Sequence, residues 1–114
     1  MNDRSECAAV NVVFEGRAKE VGVSSTKSVM GHLIAAAGAV EAGICALAIR
    51  DGLMPPNANL QQVDPDCDVN IVRDAPRPAR IGMALSNSLG FGGSNSCLAF
   101  RNPEETAALI AAGR

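Results

Sequence analysis

One stretch of this sequence, Val21–Ile49, restricts the possible folds more than any other part of the chain. It opens with a β-prone run, Val21–Ser24, and then becomes apolar. Between Lys27 and Arg50 the only charged residue is Glu41. Most residues in the later part of the stretch are small: Ala35, Ala36, Ala37, Gly38, Ala39, Ala42, Gly43 and Ala46.

The small residues of this stretch predict how its helix packs. Alanine and glycine let a neighbouring backbone approach closely, while Val40, Ile44 and Leu47 recur at helical spacing. A helix that is apolar on every side is buried on every side in a folded protein. We therefore predict a helix over Gly38–Arg50, closed by Asp51-Gly52, that is buried all round in a packed core.

The same run resembles a membrane span, because Leu33–Ile49 is almost continuously apolar over close to the ~20 residues that a span needs. Glu41 at its middle and the use of alanine and glycine in place of leucine and isoleucine favour a buried helix instead. We expect no membrane span.

Polar side chains are concentrated where the predicted strand meets this helix. Gly31 and His32, the only histidine, follow Lys27 by four and five residues. Hydroxyl side chains surround the lysine: Ser24, Ser25, Thr26 and Ser28. Because polar groups at such a junction must be satisfied locally or used on a ligand, we expect the chemistry of the protein here.

Size, charge and cysteine content limit the class of protein. The 114 residues suffice for one domain or part of one, and 47% hydrophobic with 19% charged residues is typical of a folded chain. A net charge of −2 gives no basic surface for nucleic acid. The four cysteines form no CxxC pair, no leader opens the chain, and no metal-spaced cluster is present, so we expect a cytoplasmic protein with reduced thiols and no metal.

Other segments predict an α/β chain. We expect helices over Ser5–Phe14 and Pro103–Ala112, the second capped by Asn102. The first helix should pack through Ala9, Val10, Val13 and Phe14. Strands are predicted over Val21–Ser24, Val69–Val72, Ile81–Ser88 and Ser96–Phe100, the last two forming a hairpin around GFGGSN, with a surface loop over Ala75–Arg80.

The motifs SSTKSVMGH, AAAGAVEA and SNSLGFGGSNS, in this order, resemble those of the β-ketoacyl-acyl carrier protein synthases, the condensing enzymes of fatty-acid synthesis. The resemblance covers residues 1–101 and leaves 102–114 as a tail. It implies an α/β fold, part of the C-terminal half of a thiolase-like fold, with a buried central helix and a terminal antiparallel strand pair.

The resemblance gives roles to three residues of the central stretch. His32 matches one of two histidines that donate hydrogen bonds to the thioester carbonyl of the malonyl group and so stabilise the enolate formed on decarboxylation. Lys27 and Glu41 match a lysine and a glutamate that interact and orient the site. A carboxylate in an apolar helix needs such a partner, because an unpaired buried charge is costly.

The glycine-rich loop also receives a role. Read alone, Gly90–Asn95 is a tight hairpin turn that needs positive φ angles, and it lacks the GxxxxGK pattern of a phosphate loop. By resemblance, Phe91 gates the acyl pocket, while Gly90, Gly92 and Gly93 give the backbone freedom to move. Leu89 departs from the aromatic residue usual in the family.

Two parts of the family's machinery lack a counterpart here. The nucleophilic cysteine of these enzymes lies at a helix N-terminus, and none of the four cysteines lies in such a motif: Cys7, Cys45, Cys67 and Cys97. We expect Cys45 and Cys97 to be core residues. The second histidine lies in a segment just before an Asn-Asp pair, whereas this chain opens with Met1-Asn2-Asp3. We therefore expect an incomplete synthase that is inactive alone.

The resemblance implies the partners. Substrates would arrive on the phosphopantetheine of an acyl carrier protein, with no cofactor bound to the chain itself, and the N-terminal half of the synthase and a second copy in a homodimer would complete the enzyme. Two alternatives stay open: a non-catalytic partner similar to chain-length-controlling subunits, and an unrelated small ligand-binding module.

Overall fold

Short helices and strands alternate along the chain. The computed structural model describes residues 2–113. Within this range the helices are α1 (Asn2–Phe14), α2 (Lys27–Met30), α3 (Ala37–Asp51) and α4 (Pro103–Ala111). The strands are β1 (Gly22–Val23), β2 (Leu53–Met54), β3 (Asn70–Ile71), β4 (Arg77–Pro78), β5 (Met83–Leu89) and β6 (Asn95–Arg101), with 3-10 turns at Ala18–Glu20, Ile34–Ala36 and Phe91–Gly93.

These elements divide between two compact units. The first unit holds the chain up to Gly31 together with Met54–Arg77, and the second holds His32–Leu53 together with the chain from Pro78 onward. The first unit therefore contains α1, α2, β1 and β3, whereas the second contains α3, α4 and the β5–β6 hairpin.

The first unit is built around a small core beneath α1. Cys7, Cys67 and Val69 are buried, and Val10 packs against them. The predicted face of this helix is wrong at Ala9, which is exposed, and at Val13, which is 70% exposed, because the helix presents Cys7 and Val10 to the core. That face has proper helical spacing but begins on a cysteine, which behaves as a small apolar residue when buried. The helix also begins at Asn2, before the predicted start.

A parallel strand pair completes the first unit. In the β1–β3 pair, Gly22 lies opposite Asn70 and Val23 opposite Ile71, so both predicted strands are confirmed in shortened form. Val72, only 2% exposed, follows directly: its N–H donates to the Val23 carbonyl oxygen at 2.9 Å and its carbonyl oxygen accepts from the Asn57 N–H at 2.8 Å. One buried residue thus connects three separate segments.

The second unit contains the predicted hairpin. Strands β5 and β6 pair antiparallel, from Met83 opposite Arg101 to Leu89 opposite Asn95, as the alternating sequence predicts. Ser86 is buried, and Ser88 Oγ lies 3.6 Å from where a Cβ on Gly38 would be. This side of β5 therefore faces α3, and a Cβ at Gly38 would meet Ser88 at ordinary van der Waals distance.

The prediction that the central helix is buried all round is wrong for this chain. Helix α3 has the expected bounds and ends at Gly52 in the left-handed conformation (φ 63°). Only Ala37 in it is buried, and Leu47 is 48% exposed. The reason is that the hairpin covers one side of α3, and sequence periodicity cannot say whether the other sides find partners. No helix within residues 2–113 has the length and apolarity that a membrane crossing requires.

The segment Ala75–Arg80 is not wholly the loop that was predicted. It contains β4, in which Pro78 is tolerated because a two-residue strand leaves few backbone donors to satisfy. Beyond it, the Ala79 N–H donates to the Gly52 carbonyl oxygen at 2.9 Å. Prolines mark a loop reliably only where no neighbouring strand is available.

Helix α4 starts with the cap that the sequence predicts. Asn102 Oδ1 accepts from the Glu104 N–H at 3.0 Å, and Asn102 Nδ2 donates to the Ile81 carbonyl oxygen at 3.4 Å. We expect Asn102→Ala to lower the free energy of unfolding by about 1 kcal/mol, measured by urea denaturation, since it leaves a helix N–H without a partner. Asn102→Asp keeps the accepting oxygen but loses the Nδ2 donor, so it should recover most of the loss. Equal losses in both variants would show that the cap is not the cause.

Candidate active site

His32 lies in a strained turn just before α3. Gly31 (φ 76°), Leu33 (φ 56°) and Ile34 (φ 45°) all have left-handed backbone conformations. Such angles are unfavourable for Leu33 and especially for Ile34, whose branched Cβ crowds the backbone, at about 1–3 kcal/mol each. Residues held this way cluster at functional sites, and the strain is local to the only histidine in the chain. Sequence reasoning missed this feature, because leucine and isoleucine are not typical turn residues.

The turn also fixes the form of the imidazole ring. His32 Nδ1 accepts a hydrogen bond from the Ile34 N–H at 3.2 Å, and the side chain is exposed. In a neutral imidazole the nitrogen that accepts a hydrogen bond carries no proton, so this contact assigns the ring proton to Nε2. The exposed Nε2–H is therefore a hydrogen-bond donor available to a ligand.

The two charged residues predicted to support His32 lie in different units. Lys27 opens α2 in the first unit, and Glu41 lies in α3 of the second unit, as His32 does. Both side chains are partly buried, and each takes part in an interaction within the protein. Their mutual pairing stays a prediction.

In the hydroxyl cluster around Lys27, the Ser28 hydroxyl and the Ser25 N–H find partners locally. The Ser25 N–H donates to Asn57 Oδ1 at 2.7 Å, while Ser28 Oγ accepts from the Ala58 N–H at 3.0 Å and donates to the Ser25 carbonyl oxygen at 3.2 Å. These bonds tie the turn that carries Lys27 to the extended segment after Pro56. The sequence contained a signal for this contact. An extended segment that follows two prolines makes few hydrogen bonds of its own, so its backbone and asparagine groups can bond to another segment.

The glycine loop has the backbone that the sequence predicts. Gly92 (φ 79°) and Gly93 (φ 84°) are left-handed, and the Gly90 N–H donates to the Ser94 carbonyl oxygen at 2.7 Å. Phe91 is fully exposed at the tip of the loop. In this chain its ring therefore covers no pocket, and its gating role stays a prediction.

The cysteines differ from expectation. Cys97 is exposed rather than in the core, because it lies on the outer side of the hairpin, and Cys45 is only partly buried. Burial raises the pKa of the Cys45 thiol, and burial together with a hydrogen bond to Cys67 raises that of Cys7 to about 12. Neither Cys7 nor Cys45 thus has the lowered pKa that an enzymatic nucleophile requires.

A shallow depression of about 390 Å³ lies in the first unit. It is lined by Lys19, Val63, Val69, Asn70, Ile71 and Arg73. Lys19 is paired with Asp68, and Arg73 Nε lies 3.2 Å from Asp74 Oδ2, so both cations are already neutralised. Among residues 2–113, no group of His, Cys, Asp or Glu side chains is placed to hold a metal ion.

Comparison with known proteins identifies the family. Nodulation protein E of Rhizobium meliloti is 42% identical to this chain over 100 residues, which are 88% of the chain and 25% of that protein. The 3-oxoacyl-[acyl-carrier-protein] synthase 2 of Rhizobium meliloti (strain 1021) is 46% identical over 101 residues, 89% of this chain and 24% of that protein. This chain therefore spans about a quarter of the length of these relatives.

The fold and the family model agree with these relatives. A solved structure of a type II PKS acyl-carrier protein in complex with its ketosynthase, bound to the hexaketide, aligns with a TM-score of 0.81 and 34% identity, covering 84% of this chain and 24% of that one. This likeness confirms the predicted α/β fold as part of a ketosynthase. The family described as "Beta-ketoacyl synthase, C-terminal domain" matches residues 1–61, more than half of the chain, and the chain therefore belongs to the β-ketoacyl synthases.

Proposed function

We propose that this chain contributes active-site residues to a 3-oxoacyl-acyl carrier protein synthase. The reaction would be the decarboxylative Claisen condensation of an acyl thioester with malonyl-acyl carrier protein in fatty-acid synthesis. The observation that carries the proposal is the hydrogen bond from the Ile34 N–H to His32 Nδ1, which leaves Nε2–H as an exposed donor. The turn that holds this ring has left-handed backbone angles on both sides of His32.

His32 acts on the malonyl group in this proposal. When carbon dioxide leaves, the electron pair of the breaking bond moves onto the thioester carbonyl, whose oxygen gains negative charge. A neutral imidazole that donates through Nε2 stabilises that charge without transferring its proton, and the stabilisation is greatest in the transition state. A ring fixed through Nδ1 loses no free energy to reorientation during the reaction.

Lys27, Glu41 and Phe91 have supporting roles. Lys27 is held by a turn that Asn57 anchors, and with Glu41 it would orient the histidine electrostatically. Phe91, carried by the flexible Gly90, Gly92 and Gly93, would close over the acyl chain once the remainder of the synthase supplies a pocket. Acyl carrier protein is the proposed partner, because a ketosynthase similar to this chain has been solved in complex with one.

The chain alone should not catalyse condensation. None of the four cysteines, all within the described residues 2–113, opens a helix. Burial raises the thiol pKa of Cys7 and Cys45, and the chain has only one histidine. Purified chain incubated with acyl- and malonyl-acyl carrier protein is therefore expected to give no β-ketoacyl product.

A hybrid synthase tests the proposal. In this hybrid the chain replaces the matching 101-residue region of the Rhizobium meliloti 3-oxoacyl-[acyl-carrier-protein] synthase 2, which is 46% identical to it. We expect the hybrid to form β-ketoacyl product, detected by mass spectrometry of the carrier protein. The unaltered relative is the positive control.

Two outcomes would contradict the proposal. A hybrid with the relative's circular dichroism spectrum and elution volume but no product would mean that these residues do not serve condensation. Product from the 114-residue chain alone would contradict the expected inactivity. Stable copurification of the chain with an intact synthase, together with an inactive hybrid, would favour a non-catalytic partner.

A further inference from the structure

Two cysteine thiols meet in the core of the first unit, although 60 positions separate them in the sequence. Cys7 lies on α1 and Cys67 lies in the turn that precedes β3, and they are 8% and 7% exposed. Both belong to one buried cluster with Val69, and the neighbouring Cys67 thiol is one cause of the raised pKa of Cys7. Both thiols are reduced.

Ion pairs connect the segments that carry these two thiols. Arg4, one turn before Cys7 on α1, bonds Asp64 Oδ2 at 3.3 Å and Asp66 Oδ2 at 3.0 Å. Within the turn, the Cys67 N–H donates to the Asp64 carbonyl oxygen at 2.9 Å. Exposed ion pairs therefore connect the turn that carries Cys67 to the helix that carries Cys7.

We propose that Cys7 and Cys67 form a thiol–disulfide exchange site that closes an intrachain disulfide at the expense of a low-molecular-weight disulfide such as glutathione disulfide. This site is separate from the predicted catalytic residues and does not rest on the proposed function. It is a modification site of the first unit, which links α1 to the turn before β3.

The exchange proceeds in two substitutions. One cysteine releases its proton to water, and its thiolate attacks a sulfur of glutathione disulfide, which expels one glutathione thiolate and leaves a mixed disulfide. The second cysteine loses its proton and attacks the protein sulfur of that mixed disulfide, expelling the second glutathione thiolate. The two protein thiols together lose two electrons and two protons, and the oxidant gains them as two molecules of glutathione.

Opening of the Asp64–Asp68 turn controls the rate. In the closed turn both sulfurs are buried, and burial keeps the Cys7 thiol protonated, so the first attack requires the turn to move. The ion pairs that hold the turn are exposed and therefore weak and sensitive to salt. Once the turn closes again, the neighbouring sulfur is in place, which makes the second step intramolecular and fast.

The test uses the full chain with Cys45→Ala and Cys97→Ala, which leaves only the proposed pair. Folded protein is incubated with glutathione disulfide at mildly alkaline pH, and the product is examined by intact mass and by non-reducing peptide mapping. We expect a mass lower by two hydrogens, no retained glutathione, and one crosslinked peptide that contains Cys7 and Cys67. The crosslink closes a loop of about 60 residues, so the folding equilibrium constant in urea titrations should rise on the order of a thousandfold.

Variants distinguish a disulfide formed between Cys7 and Cys67 from the separate reaction of either thiol with glutathione disulfide. Cys7→Ser in the same background should stop at a stable mixed disulfide on Cys67, because no second thiol is present to displace glutathione. Arg4→Ala should speed oxidation by about two- to fivefold, as expected for loss of exposed ion pairs. If the background variant lacks the native circular dichroism spectrum, the same mapping is made on the unsubstituted chain.

Two results would overturn the proposal. One is persistent glutathione on Cys7 or Cys67 with both thiols present, which would mean that the sulfurs cannot reach each other. The other is crosslinking only in urea and none in the folded chain, which would mean that the native core protects the thiols rather than pairing them.

Discussion

Replacing His32 by alanine in the hybrid synthase is expected to lower the rate of condensation by about 10²–10³-fold, the usual effect of removing one donor from an oxyanion site. The loss should fall on kcat, because the charge that Nε2–H stabilises is absent from the bound substrate and develops only as carbon dioxide leaves. The measurement is the rate of β-ketoacyl product formation at saturating malonyl-acyl carrier protein.

Two further measurements isolate this role from a structural one. His32→Gln keeps a side-chain N–H donor and should retain more activity than alanine, whereas a histidine needed only for packing would give no such order. Transfer of the acyl group from its carrier protein to the synthase should continue in His32→Ala, since His32 acts on the malonyl group. Equal loss of acyl transfer and condensation would contradict the assigned role.

Local signals in the sequence account for most of the elements that were predicted correctly. The β5–β6 hairpin follows from alternation around a glycine loop, the end of α3 follows from Gly52, and the start of α4 follows from Asn102 and Pro103. Each depends on groups within a few residues of one another. The parallel β1–β3 pair was predicted as two strands, but their pairing joins residues about 50 positions apart and left no local trace.

The candidate site also has features that local sequence signals indicate and features that they do not. The motif around His32 predicts a site there, which stays a prediction. It does not predict the left-handed Leu33 and Ile34, because such strain is imposed by the surrounding structure rather than by residue preference. The sequence also did not predict that Cys7 and Cys67 lie in one cluster, because the spacing of cysteines alone does not show which thiols are neighbours. The predicted burial of α3 was too high. Its composition shows that the helix would pack with apolar neighbours on every side, but it does not show which neighbours this chain supplies.

The 114-residue chain is expected to self-associate at micromolar concentration through the outer side of its hairpin. Met83, Leu85 and Leu89 are 52%, 43% and 48% exposed there, whereas the side toward α3 carries the small polar Ser86 and Ser88. On β5 the more apolar side is therefore the uncovered one. Exposed apolar surface of this kind is buried by association when no other partner is present. Sedimentation velocity over a range of concentrations measures the effect.

Met83→Lys with Leu85→Lys should weaken this association by on the order of a hundredfold, because two ammonium groups would have to be buried without partners. The matched control is Ala107→Lys with Ala111→Lys, which adds the same charge on exposed positions of α4 and should change association little. If both pairs weaken association equally, net charge rather than the hairpin surface governs it. A chain that stays monomeric at high concentration would mean that the exposed apolar side is stable in water, and the expectation that it requires a covering partner would then be wrong.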